Sequence, residues 1–133
     1  MPSIRSLAMS CLNVEEGGIA ALPDFPVLRE LMPMDVRDAW YRYIGGCEWL
    51  DSLVLMYCRD TTDAAMEHLS TLRNLRTYFV SYNLSTDRTP EILSGISSLE
   101  EITFDQCAGI TDAGVQHLRR LPRLLGRTTA TTR

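Results

Sequence analysis

The stretch CAGITDAGVQHLRRLPRL, residues 107–124, sets a turn beside an amphipathic run with an apolar residue at every third position. It reads either as an isolated helix or as one copy of a recurring skeleton. Taken from Leu99, its unit runs Leu99, Ile102, Phe104, Cys107, Asp112, Val115, Leu118, Leu121. The same offsets recur from Leu50: Leu53, Leu55, Cys58, Asp63, Met66, Leu69, Leu72. Between them lies Leu75, Tyr78, Val80, Asn83, Asp87, Pro90, Leu93, Ile96, one residue shorter after the Asn. Upstream units start at Leu28 and Ile4, and a further start falls at Leu124, so the starts are spaced 24, 22, 25, 24 and 25 residues apart. Five units end to end identify a repeat.

The first half of each unit alternates, as in Leu53-Val54-Leu55-Met56, which is a strand signal. The second half places apolar residues three apart, as in Val115, Leu118 and Leu121, which suits a helix or tight helical turn. One strand and one helix cannot bury an apolar face alone, but stacked copies can. The expected fold is therefore α/β: a short solenoid of about five repeats with a parallel concave sheet and helices on the convex side. It spans residues 1–125, and 126–133 is a polar C-terminal tail expected to fray. In the second unit Pro33 takes an inward strand position, which predicts an irregular strand there.

The L-x-x-L-x-L-x-x-C/N core resembles the leucine-rich repeat family. The later half, Ile110-Thr111-Asp112-Ala113-Gly114-Val115-Gln116-His117-Leu118, resembles its cysteine-containing subtype. The resemblance covers nearly the whole chain. It implies that Cys58, Asn83 and Cys107 face inward and hydrogen-bond loop backbone of neighbouring repeats. It also implies a substrate-recognition role in ubiquitin-ligase adaptors. That implication covers recognition alone, since no stretch before the first unit has room for an F-box helix set. Asp38, Asp63, Asp87 and Asp112 each precede a helical half and are expected to cap it.

A net charge of −4 disfavours nucleic acid, since phosphate binding needs a basic face. The one basic cluster, Arg119, Arg120, Arg123, Arg127 and Arg133, reads as a solvated surface. No apolar run approaches the ~20 residues that span a membrane. MPSIRSLAMS enters a unit at once, without a signal peptide. Four cysteines without paired spacing suggest a reducing compartment, and Cys58 and Cys107, two units apart, are too distant to bridge. An intracellular protein of cytoplasm or nucleus is expected.

Catalytic signals are absent. His68 and His117 occupy the same place in units two apart, too far to share a proton. Gly17-Gly18 and Gly45-Gly46 read as turn or helix-end glycines, and no phosphate loop, G-x-S-x-G, H-E-x-x-H or C-x-x-C is found. No enzyme, cofactor or metal is expected.

The remaining information lies on the outward face of the strands. The central row there reads Ala8, Met32, Val54, Phe79, Thr103, and the next Ser10, Met34, Met56, Ser81, Asp105. The strand-end row reads Cys11, Asp35, Tyr57, Tyr82, Gln106, and the opposite one Ser6, Glu30, Ser52, Thr77, Glu101. No Lys or Arg occurs in these rows. Met32, Met34, Val54, Met56, Tyr57, Phe79 and Tyr82 form an apolar patch, and Glu30, Asp35, Glu101 and Asp105 surround it. Such a patch points to a protein partner with basic flanking charge. The expected function is a non-catalytic interaction module, a recognition adaptor. The alternative is a structural subunit that associates through uncapped solenoid ends.

Overall fold

Alternation along each strand sends every second side chain into a core, and the three-residue spacing that follows returns the chain across it. The computed structural model describes residues 4–12 and 15–125, and the backbone of 129–131. Its strands are β1 (Ser6–Ser10), β2 (Glu30–Met34), β3 (Ser52–Leu55), β4 (Thr77–Ser81), β5 (Glu101–Asp105) and β6 (Thr129–Thr131). The helices between them are α1 (Glu16–Ala20), α2 (Tyr41–Ile44), α3 (Asp63–Glu67), α4 (Arg88–Leu93) and α5 (Asp112–Gln116), with short 3-10 turns at Leu22–Asp24, Asp38–Trp40 and His117–Arg120. All strands are parallel, and their order in the single sheet is their order in the chain. The protein is thus α/β, with one core between sheet and helices. Leu53, Leu55, Tyr78, Val80 and Phe104 from strands meet Ile44, Met66, Leu93 and Leu118 from the helical side. No helix of the described residues is long and apolar enough to cross a membrane.

The tail differs from expectation. Thr129–Thr131 pairs with β5 as a sixth strand, in register Thr103↔Thr129, so part of the 126–133 segment belongs to the sheet. Its other residues, Arg127 and Arg133 among them, lie outside the described residues.

The second unit also differs. Pro33 is buried within β2, which pairs along its length with β1. The ladder to β3 holds at Glu30↔Ser52 and Leu31↔Leu53 and resumes as a bridge at Met34↔Met56. A strand forms there, and the missing N–H leaves only a local gap facing β3. The Pro33 carbonyl on that side accepts from the Cys58 thiol at 3.7 Å.

Four residues at equivalent strand ends have left-handed backbone: Asp35 (φ 59), Tyr57 (φ 59), Tyr82 (φ 55) and Gln106 (φ 57). This kink swings the following residue inward, as seen for Val36, Cys58, Asn83 and Cys107, all buried. Cys11, their counterpart in the first unit, lacks the kink. Cys11 is therefore buried, against its place in the outward strand-end row, and Leu12 is 72% exposed.

Asp38, Asp63 and Asp87 do not cap their own helices. Each reaches the threonine of the next unit, which turns both N–H and hydroxyl toward it. Thr62 N donates to Asp38 at 3.1 Å, Thr86 N to Asp63 at 2.9 Å and Thr111 N to Asp87 at 2.7 Å. The three hydroxyls donate to the second carboxylate oxygens. Thr62 in turn caps α3, accepting from Ala64 N. Gly114 completes this joint: a Cβ there would collide with the Asp87 carboxylate. The I-T-D-x-G run is thus explained by contacts between units, with Thr111 receiving Asp87 and Gly114 leaving room for it.

Candidate functional site

The register pairs members of three of the four outward rows. Ser6, Glu30, Ser52, Thr77 and Glu101 are successive partners across the sheet, as are Val54, Phe79 and Thr103. Met32 follows Ala8, and Met34 bridges Ser10 to Met56. Alternation leaves these side chains on the face away from the helices. Met32 is 43% exposed, Met56 38%, Tyr57 48% and Tyr82 45%, whereas Leu53 and Leu55 beside them are 0% exposed. Met34, Val54 and Phe79 are half-buried by their neighbours. Glu30 and Glu101 are exposed at the beginnings of β2 and β5, and Asp35 and Asp105 are half-buried near the strand ends. The Asp105 carbonyl accepts from Tyr82 N at 3.0 Å, which ties the β4 end to β5. Ser81, although outward by register, is buried.

Three neighbours of this face escaped the sequence reading. Arg59, two residues beyond Tyr57, lays its guanidinium over the Tyr82 ring at 5.4 Å. Leu84, two beyond Tyr82, is 60% exposed. Both line a cleft of about 400 Å³ at the strand ends, with Gln106, Ala108 and Gly109 on the other wall. The signal was available: residues 37, 59, 84 and 108 form one more row by the same offsets. At the strand beginnings, the exposed Trp49 lines a second cleft of about 390 Å³ with Glu48, Thr71, Arg73 and Asn74.

The other polar groups are held structurally. Cys58 donates to the Pro33 and Met56 carbonyls, and Cys107 to those of Val80 and Asp105, so both thiols join their own strand end to the preceding unit. Asn83 instead closes its own loop, donating to Ser85 Oγ at 2.9 Å and accepting from Ser85 N. The four cysteines are free and buried. Burial pushes the Cys47 thiol up to about 11, and burial foremost also raises Cys11 and Cys107. These thiols are poor nucleophiles at neutral pH. His68 caps the end of α3 and His117 opens the turn after α5, so the two remain in units two apart. Among the described residues no group of three or more His, Cys, Asp or Glu could hold a metal.

No protein-family model matches the chain, and no curated protein matches it in sequence.

Proposed function

We propose that the chain is a leucine-rich-repeat solenoid of the cysteine-containing kind, and that the open face of its sheet binds a segment of a protein partner without chemistry. The observation that carries this reading is the set of large apolar side chains Met32, Met56, Tyr57 and Tyr82, each 38–48% exposed on a face without cations in its four rows. Apolar surface of that kind gains most by leaving water against another apolar surface. Two members, Tyr57 and Tyr82, are held in the strained left-handed region, where such strain accompanies ligand sites. The acidic rim of Glu30, Asp35, Glu101 and Asp105 suits basic flanking charge on the partner and disfavours nucleic acid. The adaptor would work in the cytoplasm or nucleus, with no cofactor and no membrane.

The test is affinity capture from cell lysate with the native chain and with Tyr57→Ala/Phe79→Ala. Bands lost only with the variant are expected, at nearly unchanged melting temperature. Identical bands would remove the open face from consideration. A second reading rests on one observation: Ile4, Leu7 and Met9 are only partly buried where the interior units are sealed. That end could seat a neighbour in a larger assembly. Light scattering separates the two, because an assembly subunit grows in mass with concentration and an adaptor stays monomeric.

A further inference from the structure

The open face and the strand-end cleft together give a bound segment a direction. We propose that the partner segment ends in the cleft: its terminal carboxylate meets Arg59, and its last side chain, an apolar one, rests against Leu84 and Ala108. This rests on the open-face reading above and adds the partner's orientation and chemistry.

Charge complementarity carries the argument. Arg59 is the one charged side chain lining the cleft among the described residues, and it makes no ion pair there. The guanidinium carbon lies over the Tyr82 ring, 5.4 Å from its centre, a cation–π contact that holds the side chain at the cleft. The N–H edge remains, the geometry that takes a carboxylate in two parallel bonds. The rest of the lining is uncharged, and Tyr82, Leu84, Ala108 and Gly109 make much of it apolar. An aspartate or glutamate side chain would satisfy Arg59 and leave the apolar wall in water. A chain-terminal residue brings its carboxylate and an apolar side chain on the same carbon, which fills both.

The opposite end of the strands carries opposite charge. Glu30 and Glu101 stand exposed in the first row, where a cation of the partner would pair. From Ser52 to Tyr57 the face extends about 17 Å at about 3.3 Å per residue, so about five extended partner residues separate that cation from the carboxylate. They would cross Met32, Val54, Met56, Phe79 and the tyrosines. Arg37 stands in the same row one strand away but outside the cleft, so among the residues that line it a carboxylate depends on Arg59.

The experiment pans the full-length chain against ten-residue peptides displayed with free C-termini, then measures selected synthetic peptides by fluorescence anisotropy. The expected binders end in an apolar residue, carry Lys or Arg about five residues upstream, and lose about tenfold or more in affinity on C-terminal amidation or with Arg59→Gln. Arg59→Lys, which keeps the charge, should recover part of the loss. Binders indifferent to amidation that carry an internal acidic residue overturn the terminal assignment. Binders indifferent to Arg59→Gln but lost with Phe79→Ala overturn the cleft and leave the open face standing. If no peptide depends on Phe79, the open-face reading fails, and this one with it.

Discussion

A side chain in left-handed backbone crowds its Cβ against the carbonyl that follows, at a cost of about 1–2 kcal/mol for residues other than glycine. Four such residues at equivalent strand ends, Asp35, Tyr57, Tyr82 and Gln106, therefore need a return. Part of it is the inward turn of the next residue: Cys58, Asn83 and Cys107 are buried because the kink precedes them. Cys11 shows the converse, with no kink and Leu12 left outside. Gln106 isolates the backbone contribution, since it lacks the aromatic contacts of the tyrosines. Gln106→Val should lower stability by about 1–2 kcal/mol, because a branched Cβ is least tolerated at positive φ. Gln106→Asn and Gln106→Gly should be neutral or slightly stabilising. Urea unfolding of the three variants checks the order; a valine variant as stable as the asparagine one would mean the kink relaxes at no cost. Period-two alternation made the outward rows readable because a strand offers its side chains only two directions. The kink was not readable, since Asp, Tyr and Gln share no propensity that announces it.

At the scale of the element, the joints between units are made by side chains that a single unit cannot explain. Asp63 accepts from Thr86 N, Thr86 Oγ1 and Thr89 Oγ1, joining α3 to α4. Partial burial pushes its carboxyl up, but the hydrogen bonds from Thr86 and Thr89 together outweigh this, and it sits below the ordinary value of 3.8. Its folded value is the lower one. Its contribution to stability is therefore complete above the unfolded value and is lost as pH falls through the folded one. Asp63→Asn should cost about 1–2 kcal/mol at neutral pH, because a carboxylate taking three or more donors becomes an amide that also brings donors of its own. That difference should shrink as pH falls below 3.8. Hydrogen bonds from Arg88 and Arg76 likewise lower Glu91 and Glu100, so the wild-type acid slope contains them too. Urea midpoints of both proteins across the acid range isolate Asp63, and a gap independent of pH would show that charge is not what the joint uses. The sequence revealed the ladder of aspartates by its spacing. It gave no sign of the donor side, because Thr62, Thr86 and Thr111 act on a neighbour about 24 residues away, where local capping rules do not look.

For the whole molecule, every described strand hydrogen-bonds as a ladder only with the strands that precede and follow it in the chain. In the repeat stack proposed above, stability is close to a sum of unit and joint contributions, so opening begins where a joint is weakest. Two observations set the β1 side apart from the middle of the sheet. Ile4, Leu7 and Met9 are partly buried, whereas Leu53, Leu55, Tyr78 and Val80 are fully enclosed. The ladder between β2 and β3 is interrupted at Pro33, where no N–H faces β3. One missing ladder bond is worth about 0.5–1.5 kcal/mol, up to about a tenfold difference in opening. Native-state hydrogen exchange should therefore find β1 and β2 opening together, ahead of β3 and β4, whose amides should be the slowest. Pro33→Val restores the missing donor in a buried site that suits a branched apolar side chain, and should bring the β2 amides closer to those of β3. Global stability should move less than local protection does, because removing proline also frees the unfolded chain by about 0.4–1 kcal/mol. Uniform protection across β1 to β5 would mean that the stack opens as a single unit and that the Pro33 gap carries no mechanical consequence.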